Sequence, residues 1–281
     1  LLGVAIPIRV MFQSPTVVEL DEHLASGGGS SEFTDPFGVV LPLKTDGDEA
    51  PLWFIHPGVG LSWAYMGFAG HLGEDRPAYA IQARGFDGSA LPESIEAMIA
   101  DYAEQILKVQ PEGPFHLVGL SLGGTLAQAM AAHLQQQGHE VATLALLDCV
   151  PASWFTHNET VDVSEVREFF GERLPALAGS AEGDRESLVD NSAAIMVRHI
   201  TMMKDFESPV FHGDALFFNA TLNPDESYRS HWTPYILGDV QEWDIHSTHL
   251  GMNMPAPAAE ICKVINRHLT GIKATSGASL V

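Results

Sequence analysis

Phe115-His116-Leu117-Val118-Gly119-Leu120-Ser121-Leu122-Gly123-Gly124-Thr125-Leu126 is the stretch that decides the fold. Its first four residues form a short apolar strand, and from Leu122 a helix is predicted to run to Gln137, closed by Gly138. Between them lies Gly119-Leu120-Ser121-Leu122-Gly123, a G-x-S-x-G pattern that is weak alone but is specific in a strand-turn-helix setting. The turn is so tight that neighbouring backbone leaves no room for a Cβ, which is why glycines flank the serine. Ser121 is therefore expected at the C-terminal edge of a sheet with its hydroxyl exposed.

Working outward, strands are predicted at Leu52 to His56, Ala78 to Gln82, Thr143 to Leu147, Asp214 to Phe218 and Val240 to Ile245. A helix is predicted from Ile95 to Val109, with Ile95, Met98, Ile99, Tyr102, Ile106 and Val109 as its buried stripe. Short apolar strands alternating with helices specify an α/β fold with a mostly parallel sheet covered on both faces. One interval breaks the alternation: Asp214 lies 66 positions after Asp148, about twice what a crossover helix with its loops requires. That insertion, about 150–213, carries Trp154, Phe155, Val166, Phe169, Phe170, Leu174 and Leu177, then a helical stretch near Leu188 to Phe206 with Met196, Met202 and Met203. It reads either as extra core-packing helices or as a helical lid whose methionines adapt to varied apolar ligands.

The 281 residues hold 14 Lys+Arg against 36 Asp+Glu, a net charge of −22, and 46% of them are hydrophobic. This is ample for a core and argues against nucleic acid or an anionic membrane face as partner. No run of 18 apolar residues suggests a membrane span. Cys149 and Cys262 are too few for a disulfide framework and fit a reducing, cytoplasmic setting. Residues 1–12 lack the features of a signal peptide and read as part of something longer. A short helix with Val17, Leu20 and Leu24 on one face follows, then the flexible run Ser26-Gly27-Gly28-Gly29-Ser30-Ser31.

A serine hydroxyl is a poor nucleophile at pH 7, so it needs a histidine base oriented by an acid, in the chain order Ser, acid, His. His246-Ser247-Thr248-His249 follows the last predicted strand. His249 is preferred because it lies deeper in the loop, whereas His246 still belongs to the strand end. Two acids compete. Asp148, 27 positions after the serine, closes the strand next to the nucleophile's own and needs a partner to be tolerated at that edge. Asp225, in Asn223-Pro224-Asp225-Glu226-Ser227, lies in the loop after the following strand, where many hydrolases keep their acid, but it also reads as a turn or N-cap residue. Asp148 is favoured. An oxyanion would be held by the backbone N–H of Leu122, at a helix start, and by one from His56-Pro57-Gly58-Val59-Gly60, best that of Val59. His56 reads as structural. Nothing in these residues calls for a metal or a bound cofactor.

Several stretches together resemble the type I thioesterase domains of non-ribosomal peptide synthetases, in the α/β-hydrolase superfamily. They are His56-Pro57-Gly58, Gln82-Ala83-Arg84-Gly85, Gln110-Pro111-Glu112-Gly113-Pro114, the run Gly119 to Gln128, Leu147-Asp148 and His249-Leu250-Gly251-Met252. The resemblance implies an α/β-hydrolase fold over residues 38–270 with a lid at about 150–213. It also implies a triad of Ser121, Asp148 and His249, and release of a peptidyl thioester by hydrolysis or macrocyclisation. The rival expectation is a generic ester hydrolase or a free-standing editing thioesterase. Residues 1–25 resemble the C-terminal end of a peptidyl carrier domain, with 26–37 as linker and 271–281 as a disordered tail. The partner so implied is a carrier domain in cis, presenting substrate on phosphopantetheine whose attachment serine would lie upstream of Leu1.

Overall fold

In the computed structural model, which describes residues 35, 37–86, 88–155, 164, 167, 182–223 and 227–278, strand β4 (Phe115–Leu120) is buried at every position and sits near the middle of a seven-stranded sheet. The other strands are β1 (Val40–Lys44), β2 (Leu52–Ile55), β3 (Ala78–Ile81), β5 (Val141–Leu147), β6 (Ala215–Ala220) and β7 (Val240–Ile245). Their spatial order is β1-β3-β2-β4-β5-β6-β7, and all neighbours pair in parallel except β1 with β3. The mostly parallel α/β sheet expected from the alternation is thus present, with an antiparallel strand added at one edge. That strand, Val-Leu-Pro-Leu-Lys, escapes a reading by periodicity because its burial is mixed and it contains Pro42, which a sheet tolerates at an edge.

Both faces of the central strands β2, β4, β5 and β6 are buried, which is why these read as nearly continuous apolar runs, whereas edge strand β7 buries only Val240 and Ile245. Trp53, Ile55, Leu117, Leu144, Leu146 and Phe217 point into one core with helices α1 (Ile95–Val109) and α2 (Leu122–Gln136). Leu52, Phe54, Val118, Leu120, Leu147 and Phe218 point into the other, packed by Ile261 and Ile265 of α4 (Pro255–Ala278). A fourth helix, α3 (Glu182–Met203), belongs to the long interval after β5. Ser94 caps α1 by accepting the Ala97 N–H, and the predicted stripe is buried from Ile95 to Ile106, but Val109 is 43% exposed because the helix ends there and turns away from the core. Helix α4 continues to Ala278. Residues 1–34, Val166, Phe169, Phe170, Leu174, Leu177 and Asp225 lie outside the described residues.

Polar side chains inside the core tie the connections to this frame. Gln110 accepts from Trp53 Nε1 and donates to the carbonyls of Glu112 and Pro114, so it anchors the turn between α1 and β4. Thr125 on α2 donates to the Val150 carbonyl at the start of the long insertion, and Gln128, one turn on, donates to the carbonyl of Pro209 at its end. The elbow helix therefore clamps both ends of the inserted segment.

Three buried histidines make stability sensitive to acid. Burial pushes His56 down to about 4, and His116 and His199 down to about 3 each. His116 pairs with Thr143 Oγ1, while His56 pairs with the Tyr102 hydroxyl and stacks on His199 at 5.1 Å between ring centres. Their folded values lie below the unfolded value of 6.5, so the unfolded chain binds protons that the folded chain refuses. The stabilisation is complete above pH 6.5 and is lost as pH falls from there towards 3 to 4. At pH 5, unfolding is expected to take up about three protons through these rings. The slope of unfolding free energy against pH measures the uptake, and a value below one contradicts the assignment.

Candidate active site

The chain reverses its direction of winding between β2 and β4, because β3 lies on one side of β2 and β4 on the other. In an open parallel sheet the crevice at the carboxyl ends of such a strand pair is where ligands bind. Ser121 stands at that point. Its backbone is in the left-handed region, φ 58° and ψ −133°, held there by its N–H to the Leu147 carbonyl at 3.0 Å and by the Gly124 N–H donating to its own carbonyl at 2.8 Å. Such a conformation costs a non-glycine residue energy and persists only when the surroundings enforce it.

The surroundings are visible at the three glycines. A Cβ on Gly119 would lie 2.1 Å from the Gly123 carbonyl oxygen, one on Gly123 2.4 Å from that of Ile55, and one on Gly124 2.3 Å from Cys149 Sγ. The elbow therefore meets the end of β2 backbone to backbone and packs directly on the Cys149 side chain just past β5. Tyr65, fully buried, adds a bridge: its hydroxyl donates to the Ile55 carbonyl at 2.8 Å and accepts the Leu120 N–H at 2.9 Å. This joins the strand before the His56–Gly60 loop to the residue preceding Ser121. Nothing in the sequence around Tyr65 marks it for that role, which depends wholly on tertiary position.

Asp148, also in the left-handed region at φ 43°, ends β5 next to Ser121 and is buried. Its backbone N–H bonds the Phe218 carbonyl. Its Oδ1 accepts the Ala220 N–H at 3.2 Å, while its Oδ2 accepts both His249 Nδ1 at 2.7 Å and Asn223 Nδ2 at 2.8 Å. The structure thus brings Asp148 and His249 together across 101 positions of sequence. His246 is exposed, as its place at the end of β7 suggested. With Nδ1 on the carboxylate, the other ring nitrogen of His249 is left to act on a neighbouring hydroxyl. Among the described residues no hydrogen bond joins Ser121 to His249. Asn223 stands in the sequence directly before Pro224 and Asp225, with no motif of its own. The signal that could have singled it out is its position, just past the end of β6, where the chain leaves the sheet beside Asp148.

Leu122 begins α2, so its N–H points out of the helix start beside Ser121. Val59 lies half-buried in the turn closed by the Gly60 N–H to the Pro57 carbonyl, directly after β2. Helix α3 rests on that turn: the Met196 side chain is 3.5 Å from where a Gly58 Cβ would be, and His199 stacks on His56. His56 is held below the turn by Tyr102 Oη at 2.7 Å, a structural position. Among the described residues no helix is long and apolar enough to cross a membrane, and no cluster of histidine, cysteine or carboxylate side chains is arranged to hold a metal ion.

Comparison with known proteins bears on this geometry. The family described as "Thioesterase domain" matches residues 50–221. Malpibaldin synthetase of Mortierella alpina is 36% identical over 275 residues, covering 95% of this chain and 5% of its own length. A dimodular nonribosomal peptide synthase of Bacillus subtilis is 36% identical over 289 residues, covering 94% of this chain and 12% of its own length. The chain therefore spans only a small part of these relatives. Among solved structures, the thioesterase domain that cyclises the lipopeptide antibiotic surfactin superposes with a TM-score of 0.66 at 20% identity, over 86% of this chain and 98% of that domain. At that identity the likeness establishes the α/β-hydrolase fold.

Proposed function

The chain belongs to the thioesterase domain family, and from that premise we propose that it releases a peptide from a carrier-bound thioester at the end of non-ribosomal peptide synthesis. The observation that carries the reading is the bond from His249 Nδ1 to Asp148 Oδ2 at the strand end adjoining Ser121. It supports Ser121 as nucleophile, His249 as base and Asp148 as the acid that orients it, with Leu122 and Val59 N–H groups as oxyanion donors.

In the proposed reaction His249 Nε2 takes the Ser121 hydroxyl proton as Oγ attacks the thioester carbonyl carbon. The C–S bond then breaks, His249 returns the proton to the departing phosphopantetheine thiol, and an acyl-O-serine remains. Water, or an amine or hydroxyl of the peptide itself, loses a proton to His249 and attacks the ester, which regenerates Ser121. The N–H groups of Leu122 and Val59 face the charge that develops on the carbonyl oxygen in both steps. Helix α3, seated on the Val59 turn, is the described part of the lid in this reading, and lid shape decides how well water is kept from the acyl-serine.

The relatives support the setting: the dimodular nonribosomal peptide synthase of Bacillus subtilis matches 94% of this chain. We therefore extend the proposal to a carrier domain in cis, with residues 1–25 as its C-terminal end and phosphopantetheine as the arm that delivers the substrate. We also propose that the run Ser121 to Gln128 is similar to that of the enterobactin synthase thioesterase, a likeness that transfers no product. Incubation with a peptidyl-phosphopantetheine thioester, followed by mass spectrometry, is expected to yield free acid or ring. The kcat/KM should exceed that for a p-nitrophenyl ester by more than about tenfold, the return of about 1.4 kcal/mol from contacts with the arm. Equal rates on the two substrates would point instead to a general esterase.

A further inference from the structure

We propose that Asn223 is a positioning residue for the catalytic histidine, a role that rests on the triad reading above. The pairing between β6 and β7 does not stop at the sheet edge. Past Ala220, the Thr221 N–H donates to the Ile245 carbonyl at 3.0 Å and the Leu222 N–H to the Ser247 carbonyl at 3.0 Å. At the next step backbone pairing gives way to a side chain: Asn223 Oδ1 accepts the His249 N–H at 2.9 Å. The same amide turns its Nδ2 to Asp148 Oδ2 at 2.8 Å. One half-buried planar group thus holds the base by its backbone and the acid by its carboxylate, while those two are themselves joined at 2.7 Å.

The three contacts form a closed triangle of Asp148, His249 and Asn223. Because the amide is rigid, the triangle fixes both the separation of loop from acid and the direction in which the carboxylate presents Oδ2. The chemistry suits an amide, which carries its donor and its acceptor on two separate atoms, whereas a serine or threonine hydroxyl offers both from one. A donor is required towards the carboxylate and an acceptor towards the backbone N–H, and asparagine supplies both without charge. An aspartate of the same size would keep the acceptor but set a second carboxylate oxygen 2.8 Å from Asp148 Oδ2. The loop after β6, a place from which an acid could have come, here contributes a neutral brace to an acid on β5.

The test compares Asn223→Ala and Asn223→Asp with the wild-type chain, using a fluorophosphonate probe that reports nucleophile activation independently of carrier and peptide. Both variants are expected to lower the inactivation rate constant about 10- to 100-fold, the size of effect that follows a displaced catalytic group. The endpoint should remain one label per chain at Ser121. On the peptidyl thioester, kcat should fall by a similar factor with KM within about threefold of wild type. Asn223→Asp reacting at the wild-type rate would mean that the side chain merely fills space, and would overturn the proposal. So would fewer labelled chains with an unchanged rate constant for those that label, because that is a folding defect. Wild-type chain that labels at Ser121 but leaves the peptidyl thioester intact would sink the release reading alone, and the variant rates would still decide the role of Asn223.

Discussion

Ser121→Ala is expected to lower the rate of product release by about 10⁴- to 10⁶-fold while leaving the fold in place. The substitution removes one oxygen and keeps the Cβ, so the two backbone bonds that hold the elbow, to Leu147 and from Gly124, are retained. Alanine tolerates φ 58° no worse than serine does, since both carry the same Cβ. What is lost is the atom that would become acylated. The oxyanion donors and the binding surface remain, and such groups alone sustain only about 10³- to 10⁴-fold acceleration over water. Intact peptidyl-phosphopantetheine should accumulate, and mass spectrometry of the carrier arm over a single turnover would register it. Thermal unfolding run in parallel separates chemistry from folding. Release within tenfold of wild type would show that Ser121 is not the nucleophile.

The second large effect is expected of Asp148→Asn, a fall in kcat of about 10³- to 10⁴-fold. Each carboxylate oxygen is committed, Oδ2 to His249 and Asn223 and Oδ1 to Ala220. An amide in this place has one oxygen for three donors on two sides. If its NH₂ group faces His249, the ring must present a bare Nδ1, and the nitrogen near Ser121 then carries a proton and cannot accept one. If its NH₂ group faces Ala220, two N–H groups confront each other in a buried site, at about 1 to 3 kcal/mol for the unpaired donor. Either outcome also removes the negative charge that would stabilise imidazolium in the transition state. Asp225→Asn serves as the control and is expected to keep activity within a few-fold, because His249 Nδ1 already has its carboxylate. The reverse pattern, with only Asp225→Asn inactive, would overturn the assignment of the acid.

The route to Asp148 shows how far residue order could carry the argument. An apolar strand closed by an aspartate, one crossover after the elbow, has a single place in a right-handed parallel sheet, and this is enough to set Asp148 beside Ser121. The same order could not say which way Asp148 faces. That depends on the left-handed turn at Asp148 and on the amide of Asn223, both products of packing between β5, β6 and the loop after β7. The buried histidines were opaque for a similar reason. His116 sits in a strand-like run and His199 in a helical stretch beside Arg198, and only the assembled core shows that both are dry.

The sequence by itself determined the parallel α/β architecture, the serine at the elbow, the preference for Asp148 and His249, and the kinship carried by those motifs. Each of these rests on periodicity or on short-range sterics, such as Gly119 yielding to the Gly123 backbone four residues on, and such constraints are written in neighbouring letters. Only the tertiary structure decided that Tyr65 braces the elbow against β2, that α3 lies on the Val59 turn, that β1 closes the sheet edge, and that Asn223 joins the acid to the loop of the base. These are hydrogen bonds and packing contacts between residues as far as 143 positions apart, the separation of His56 from His199. Their partners are chosen by how layers and strand ends meet, and no local pattern encodes that meeting.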